Sequence, residues 1–316
     1  MTQINSEKLK NKKYNLVYMA KPPYGGWVSF TAHLSRKFNY PLFKIGNNTE
    51  SKTRPYGYGV DYQNVTIADI LKKGKILITA VDKKFYPYLE QIKKATIVIH
   101  DPTELKPDVI EFIKKDGVNV ITIRKTVKKL LKEKHNIHSK FLYHPFYSFD
   151  IKTKKKTQAV SISRVDFDKH TDIILKANKK LKNPVKIYGA LNDLYVYHGG
   201  LKQLGFDKYY KGKFEKTFES IGHILEDSKF VVDMSAIKND GGGSQYTFLE
   251  AIHCECALVL NKKWVEGTNS PFKDKINCFV VENEDELIKL LNSNPKIDTI
   301  VKNAKKMLSA HINVKW

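Results

Sequence analysis

The run Ala95-Thr-Ile-Val-Ile99 offers no polar side to water. A strand that alternates can lie half exposed, but a continuous apolar run must be covered on both faces, which calls for a parallel sheet with helices above and below it. Similar runs occur at Ile76–Val81, Asn119–Ile123 and Phe141–His144. Amphipathic helical patterns lie between them, over Phe85–Lys94, Thr103–Lys115 and Thr126–Lys134. Ahead of these come a strand at Tyr14–Ala20, a turn at Lys21-Pro-Pro-Tyr-Gly-Gly26 and a helix over Trp27–Lys37. Strand–helix alternation of this kind builds an α/β domain.

The alternation stops at Asp150–Gln158, a polar and strongly basic stretch that reads as a linker. It then restarts. Strands are expected at Ala159–Ser163, Val185–Tyr188, Phe230–Met234, Ala257–Leu260 and Cys278–Val281. Helices are expected over Thr171–Lys182, Phe218–Ser228, Ser244–Cys254, Glu284–Leu291 and Ile297–Ser309. Two halves of similar size predict two Rossmann-like domains facing a cleft, residues 1–150 and 159–316, with the last helix able to pack back on the first domain. Ligands in such sheets bind beyond the carboxyl ends of the strands, so residues just after each strand carry the functional argument.

Charge narrows the function classes. Fifty-five Lys and Arg face 33 Asp and Glu, a net +22 at pH 7 and more than solubility requires. Nearly all the bases are Lys, which suits a diffuse field rather than bidentate base reading. A polyanionic partner such as double-stranded DNA is one reading, and the Lys-rich codon usage of an AT-rich genome is the other. No apolar run approaches the ~20 residues of a membrane span, and the first fifteen residues lack the apolar core of a signal peptide. Cys254, Cys256 and Cys278 cannot form a disulfide framework, and Cys254-x-Cys256 alone is a poor zinc site. A soluble, cytoplasmic protein is expected.

Four constellations could carry chemistry. Gly25-Gly26, between first strand and first helix, allows close backbone approach to an anion, or is simply a tight turn. His100-Asp101 follows an apolar strand where catalytic groups sit, although Asp101 before Pro102-Thr103 also reads as a helix cap. Ser163-Arg164-Val-Asp166-Phe-Asp168-Lys169 places two cations beside a helix start, a diphosphate cradle that needs no metal. Asp166-x-Asp168 imitates a metal motif, but the flanking Arg164 and Lys169 favour capping and pairing. Finally, Asp240-Gly-Gly-Gly-Ser244 leads into a helix that carries Glu250 among Phe248, Leu249, Ala251 and Ile252. A carboxylate in such apolar company has a specific partner, such as the hydroxyls of a ribose.

These motifs carry a family resemblance. Phe248-Leu-Glu-Ala-Ile-His-Cys-Glu-Cys-Ala-Leu-Val-Leu260 resembles the "EAMACGxPVV" signature of retaining GT-B glycosyltransferases of the glycogen-synthase-like, family-4-like group. Ser161-Ile-Ser-Arg164 with Lys169 resembles that group's donor-phosphate element, Gly25-Gly26 its glycine loop, and Asn277–Leu287 its closing stretch. Compact size, His100-Asp101 and the basic charge are similar to phage DNA α-glucosyltransferases. Gly242 stands where the family carries the first of its two glutamates.

The resemblance implies a GT-B fold and an enzyme, a hexosyl- or pentosyltransferase. The co-substrate would be a nucleotide sugar, expected to be a UDP-sugar, with no tightly bound cofactor and no metal. Arg164 and Lys169 would neutralise the departing diphosphate, helped by Gly243 and Ser244, while Thr247 and Glu250 would contact the nucleotide and its ribose. His100 would face the donor sugar and Asp101 would be the acid–base candidate. The implied acceptor is a hydroxymethylated base in viral DNA. Two alternatives stand beside it: a glycan, lipid or protein acceptor, and a non-catalytic nucleic-acid-binding protein on the same scaffold.

Overall fold

The computed structural model describes residues 14–20, 25–45, 57–152, 156–236, 245–266 and 270–316. They group into two compact units, one running up to Tyr147 and taking in Val314–Trp316, the other covering Ser148–Asn313.

The first unit contains strands β1 (Asn15–Met19), β2 (Leu42–Ile45), β3 (Gln63–Val65), β4 (Ile76–Val81), β5 (Ala95–Ile99), β6 (Val118–Thr122) and β7 (Lys140–Phe141). Its helices are α1 (Gly26–Phe38), α2 (Ile67–Leu71), α3 (Tyr86–Gln91), α4 (Pro107–Ile113) and α5 (Lys125–His135). The strands form one sheet in the order β3-β2-β1-β4-β5-β6-β7, with parallel pairing throughout. All six residues of β4 and all five of β5 are buried, Thr79 and Thr96 included, as strands with no charged position and covered on both faces require.

The second unit contains β8 (Gln158–Ile162), β9 (Lys186–Tyr188), β10 (Ser228–Asp233), β11 (Ala257–Asn261) and β12 (Phe279–Val281). Its helices are α6 (Thr171–Asn178), α7 (Asp193–His198), α8 (Phe206–Tyr209), α9 (Phe218–Leu225), α10 (Tyr246–His253), α11 (Lys262–Glu266), α12 (Glu284–Ser293) and α13 (Asp298–Ile312). This sheet is also parallel, in the order β12-β11-β10-β8-β9. Each unit has its own apolar core, and the two-domain α/β architecture expected from the alternation is what the chain adopts.

Several boundaries differ from expectation for local reasons. The pattern over Thr103–Lys115 yields a helical helix only from Pro107, because Lys106 precedes a proline and is held extended at φ −85°, ψ 159°. Helix α6 stops at Asn178, whose side chain turns to bond both Val185 N–H (2.8 Å) and Val185 C=O (2.9 Å). Strands β2 and β3 have no counterpart in the sequence pattern. In β2 the buried Lys44 interrupts the apolar run, with its Nζ 5.7 Å from the centre of the Tyr62 ring.

Helix α13 packs on α10 in the second unit, and only Val314–Trp316 rejoin the first. There Trp316 is buried, edge-on to Phe30 at 5.1 Å, with its indole N–H on Tyr143 C=O at 3.0 Å. Its own C=O accepts the Tyr40 hydroxyl at 3.0 Å. Truncation of a buried Trp leaves a large void, so Trp316→Ala is expected to cost about 3–5 kcal/mol in chemical denaturation. A change under ~1 kcal/mol would mean that the ring contributes little to this core.

Candidate functional site

In the first unit the loops after β1 and β5 leave the carboxyl edge of one sheet. Gly25 caps α1 at φ 93°, a left-handed conformation that any β-carbon would strain, and α1 has no acidic residue in its first turn. Among the described residues nothing lies within 4 Å of where a β-carbon would sit at Gly25 or Gly26. Among the described residues no side chain fills the space at the start of this helix, which carries the partial positive charge of a helix N-terminus.

His100 is buried, with its Nε2 2.8 Å from Thr79 C=O and its ring edge-on to Phe30 at 4.8 Å. A carbonyl can only accept, so Nε2 carries the hydrogen and Nδ1 is the ring nitrogen left for other partners. Burial pushes its pKa down to about 4, which keeps the ring neutral at pH 7. Half-buried Asp101 caps the turn that follows: its Oδ1 accepts from Thr103 N–H at 2.8 Å and from the Thr103 hydroxyl. Both structural roles weighed from the sequence, a packed His and a capping Asp, are thus present.

Glu104, which the sequence did not single out, joins the two loops. It accepts the indole N–H of Trp27 at Oε1 (2.6 Å) and the backbone N–H of His100 at Oε2 (2.9 Å). An acid three residues beyond a cap reads from sequence as an ordinary capping partner. Its bond to Trp27, 77 residues away, has no local signature.

In the second unit the cations gather where β8 and β10 end. Arg164 is mostly exposed, paired with Asp166 at 2.7 Å and Asp168 at 3.6 Å. Lys169 is buried and donates to Ser235 Oγ at 2.8 Å, with Asp168 at 3.8 Å. The two loops are also stitched by Ala236 N–H to Asp168 C=O at 3.1 Å. Burial would raise the pKa of Asp166, but Asn192, the Phe167 N–H, Arg164 and Lys169 together hold it below the ordinary carboxylate value. Asp166 and Asp168 serve here as capping and pairing groups. Among the described residues no three His, Cys, Asp or Glu side chains group as a metal site would.

Gly189 keeps this arrangement in register. At φ 145° its missing β-carbon would lie 2.0 Å from Ser163 C=O, so only glycine lets β9 pass the turn that presents Arg164.

Glu250 lies one turn into α10 and is 1% exposed. Lys216 and Tyr246 sense its charge. Burial drives the Lys216 pKa down while Glu250 opposes the fall; burial and Glu250 both drive Tyr246 up. Sequence reasoning found Glu250 but missed Lys216, which sits in the connection before α9. Thr247 Oγ1 is buried and has no hydrogen-bond partner among the described residues. Gly243 and Ser244, with Gly242 and the rest of the glycine loop, lie outside the described residues.

No protein-family model matches the sequence, and no curated protein is similar to it at sequence level. Solved structures are similar to it in fold. An Anabaena protein, Alr3699/HepE, in complex with UDP and glucose, aligns with a TM-score of 0.68 at 14% identity over 95% of both chains. An α-glucosyltransferase in complex with UDP and a 13-mer DNA containing an HMU base aligns at 0.68 and 16% identity, over 94% of this chain and 95% of that one. A glycosyltransferase from Rickettsia africae aligns at 0.61 and 15% identity, over 96% and 94%. The chain has the GT-B fold.

Proposed function

We propose that the chain is a retaining glycosyltransferase that moves a sugar from a UDP-sugar to a hydroxyl, with a hydroxymethylated base in duplex DNA as acceptor. The observation that carries the donor half is Lys169, buried in the turn after β8 and bonded to Ser235 beyond β10, with Arg164 in the same turn. Breaking a glycosyl phosphate bond places negative charge on the leaving diphosphate, and fixed cations held out of bulk water stabilise that charge strongly. Glu250, buried on the next helix, accepts the ribose hydroxyls, and Thr247 offers a hydroxyl beside it.

In the first unit, the open start of α1 at Gly25-Gly26 and the loop at His100-Asp101 serve the acceptor and the transferred sugar. The acceptor hydroxyl loses its proton as the new bond forms, and Asp101 is the carboxylate placed to take it. His100, neutral and fixed on Thr79, orients rather than transfers. The glycosyl–phosphate bond breaks with its electrons going to the diphosphate, and Arg164 and Lys169 neutralise that charge in place of a divalent cation. Activity is therefore expected to survive EDTA; complete loss, restored by Mn²⁺ or Mg²⁺, would make Asp166 and Asp168 ligands instead.

The acceptor half rests on the +22 charge and on the likeness to a glucosyltransferase solved with DNA. A lipid acceptor is less well supported. Basic helix α5 buries Val127 and Leu131, leaves Leu130 half-buried and carries no aromatic anchor, and among the described residues no helix is long and apolar enough to cross a membrane. The deciding experiment incubates the protein with a panel of nucleotide sugars, with and without hydroxymethylated DNA, and follows nucleotide release and the anomeric form of the product. Transfer to a small glycan faster than to DNA would move the acceptor assignment, and release of no nucleotide under any condition would leave a binding protein. For DNA, affinity should fall steeply with salt, by roughly a thousandfold between 50 and 200 mM for six phosphate contacts. Unmodified duplex should bind nearly as tightly, because phosphates carry affinity and not sequence.

A further inference from the structure

Glu104 is the least expected group in the first unit. One carboxyl takes an indole N–H from the first turn of α1 and a backbone N–H from the residue before Asp101. Each oxygen accepts one bond, at 2.6 and 2.9 Å. Two N–H donors converging on one carboxyl stabilise its ionised form more than its protonated form, because charge-assisted bonds are the stronger ones. The two partners belong to separate segments, and each lies next to a candidate site element: Trp27 follows Gly25-Gly26, and His100 adjoins Asp101.

We propose that Glu104 is a positioning residue, whose ionised carboxylate clamps the start of α1 to the loop after β5 and so fixes Asp101 for proton transfer from the acceptor. This rests on the transferase reading above, since it assigns Asp101 that role. Its role runs through Trp27 and His100, the groups its two oxygens hold, and not through the acceptor itself.

The clamp is poised to titrate. Glu104 is half-buried with its carboxyl bonded to Trp27 and His100, and burial pushes its pKa up to about 8. The Asp101 charge raises it further, while the His100 N–H, the Trp27 indole and Arg124, just before α5, pull it down. On α3, Tyr86 senses the same carboxylate. The sign follows directly. Above about pH 8 the group is ionised and the clamp closed; below it the proton competes with the two N–H donors. Because the folded value lies above the unfolded one, ionising Glu104 also costs stability, which should fall as pH rises from the ordinary carboxylate range through about 8. Such a cost is tolerable where it fixes a reactive geometry.

The test compares the full-length wild type with Glu104→Gln and Trp27→Phe. Tryptophan fluorescence of the wild type should titrate with a midpoint near 8, and this transition should be absent in Glu104→Gln. Transfer at saturating substrates should rise about thirtyfold from pH 6.5 to 9.5 in the wild type, following the ionised fraction. Glu104→Gln should lose that limb, with kcat lowered and KM for the nucleotide sugar unchanged. Trp27→Phe removes one donor but keeps the carboxyl, so the limb should survive at a higher pH, which decides the matter even if Glu104→Gln folds poorly. A limb that stays in place in both variants, or a wild-type fluorescence signal flat between pH 6.5 and 9.5, overturns the clamp. A wild type without transferase activity overturns the function reading instead, and with it the role given to Asp101.

Discussion

Lys169→Met should lower turnover of the nucleotide sugar by about 100- to 1,000-fold, the scale seen when one preorganised group is removed from developing negative charge. The expectation follows from burial. Lys169 is 9% exposed and held by Ser235 Oγ, so its charge is fixed before the donor arrives and poorly screened by water. Arg164 has a side chain 57% exposed and already shares its charge with Asp166 and Asp168. Arg164→Ala should therefore cost less, about tenfold, mainly in donor affinity by calorimetry. Met keeps the length of the Lys stem and removes only the ammonium. Denaturation midpoints should show whether a loss of turnover is a loss of fold. An order of effects reversed between Lys169 and Arg164 would mean that the diphosphate meets the exposed cation, and that Lys169 is a structural pin.

Asp101→Asn should abolish transfer to the acceptor, by about 100- to 10,000-fold for the loss of a general base. The substitution is chosen for what it retains. Asn keeps an oxygen that can accept from Thr103 N–H and is as good a cap as Asp, so stability should change by only a few tenths of a kcal/mol. Donor binding and duplex binding should be unchanged. A variant that transfers sugar at the wild-type rate would reduce Asp101 to its visible structural role.

The comparison of sequence with structure separates local from distant causes. Strand β4 matches its expected limits because its five apolar residues, with Thr79 bonded to Thr31 among them, have one way to be covered. The early end of α6 could have been read from Asn178, and the late start of α4 from Pro107, since both effects act within a few residues. Glu250, Arg164 and Lys169 are legible as candidates because a charged side chain among apolar neighbours, or two cations beside a helix start, is itself a local pattern. What holds them is not. Ser235 meets Lys169 across 66 residues, and Glu104 meets Trp27 across 77. Lys216 finds Glu250 only once α9 and β10 have turned the chain back. None of these pairings leaves a spacing to recognise. The short helices α7 and α8, between Asp193 and Tyr209, went unnoticed because one or two turns carry too few periodic positions.

The return of Val314–Trp316 bears on how the chain reaches this state. Because Tyr40 meets Trp316 across 276 residues, the first unit is discontinuous: its final packing element is separated from the rest by the whole of the second unit. During synthesis the amino-terminal sheet must wait, with the site beside Phe30 and Tyr40 unfilled, until the ribosome has made the second unit and then Val314–Trp316. Closing so long a loop is entropically less costly if the second unit has already condensed and shortened the tether. A late kinetic phase, reported by burial of Trp316 and absent when residues 314–316 are removed, would mark that final step.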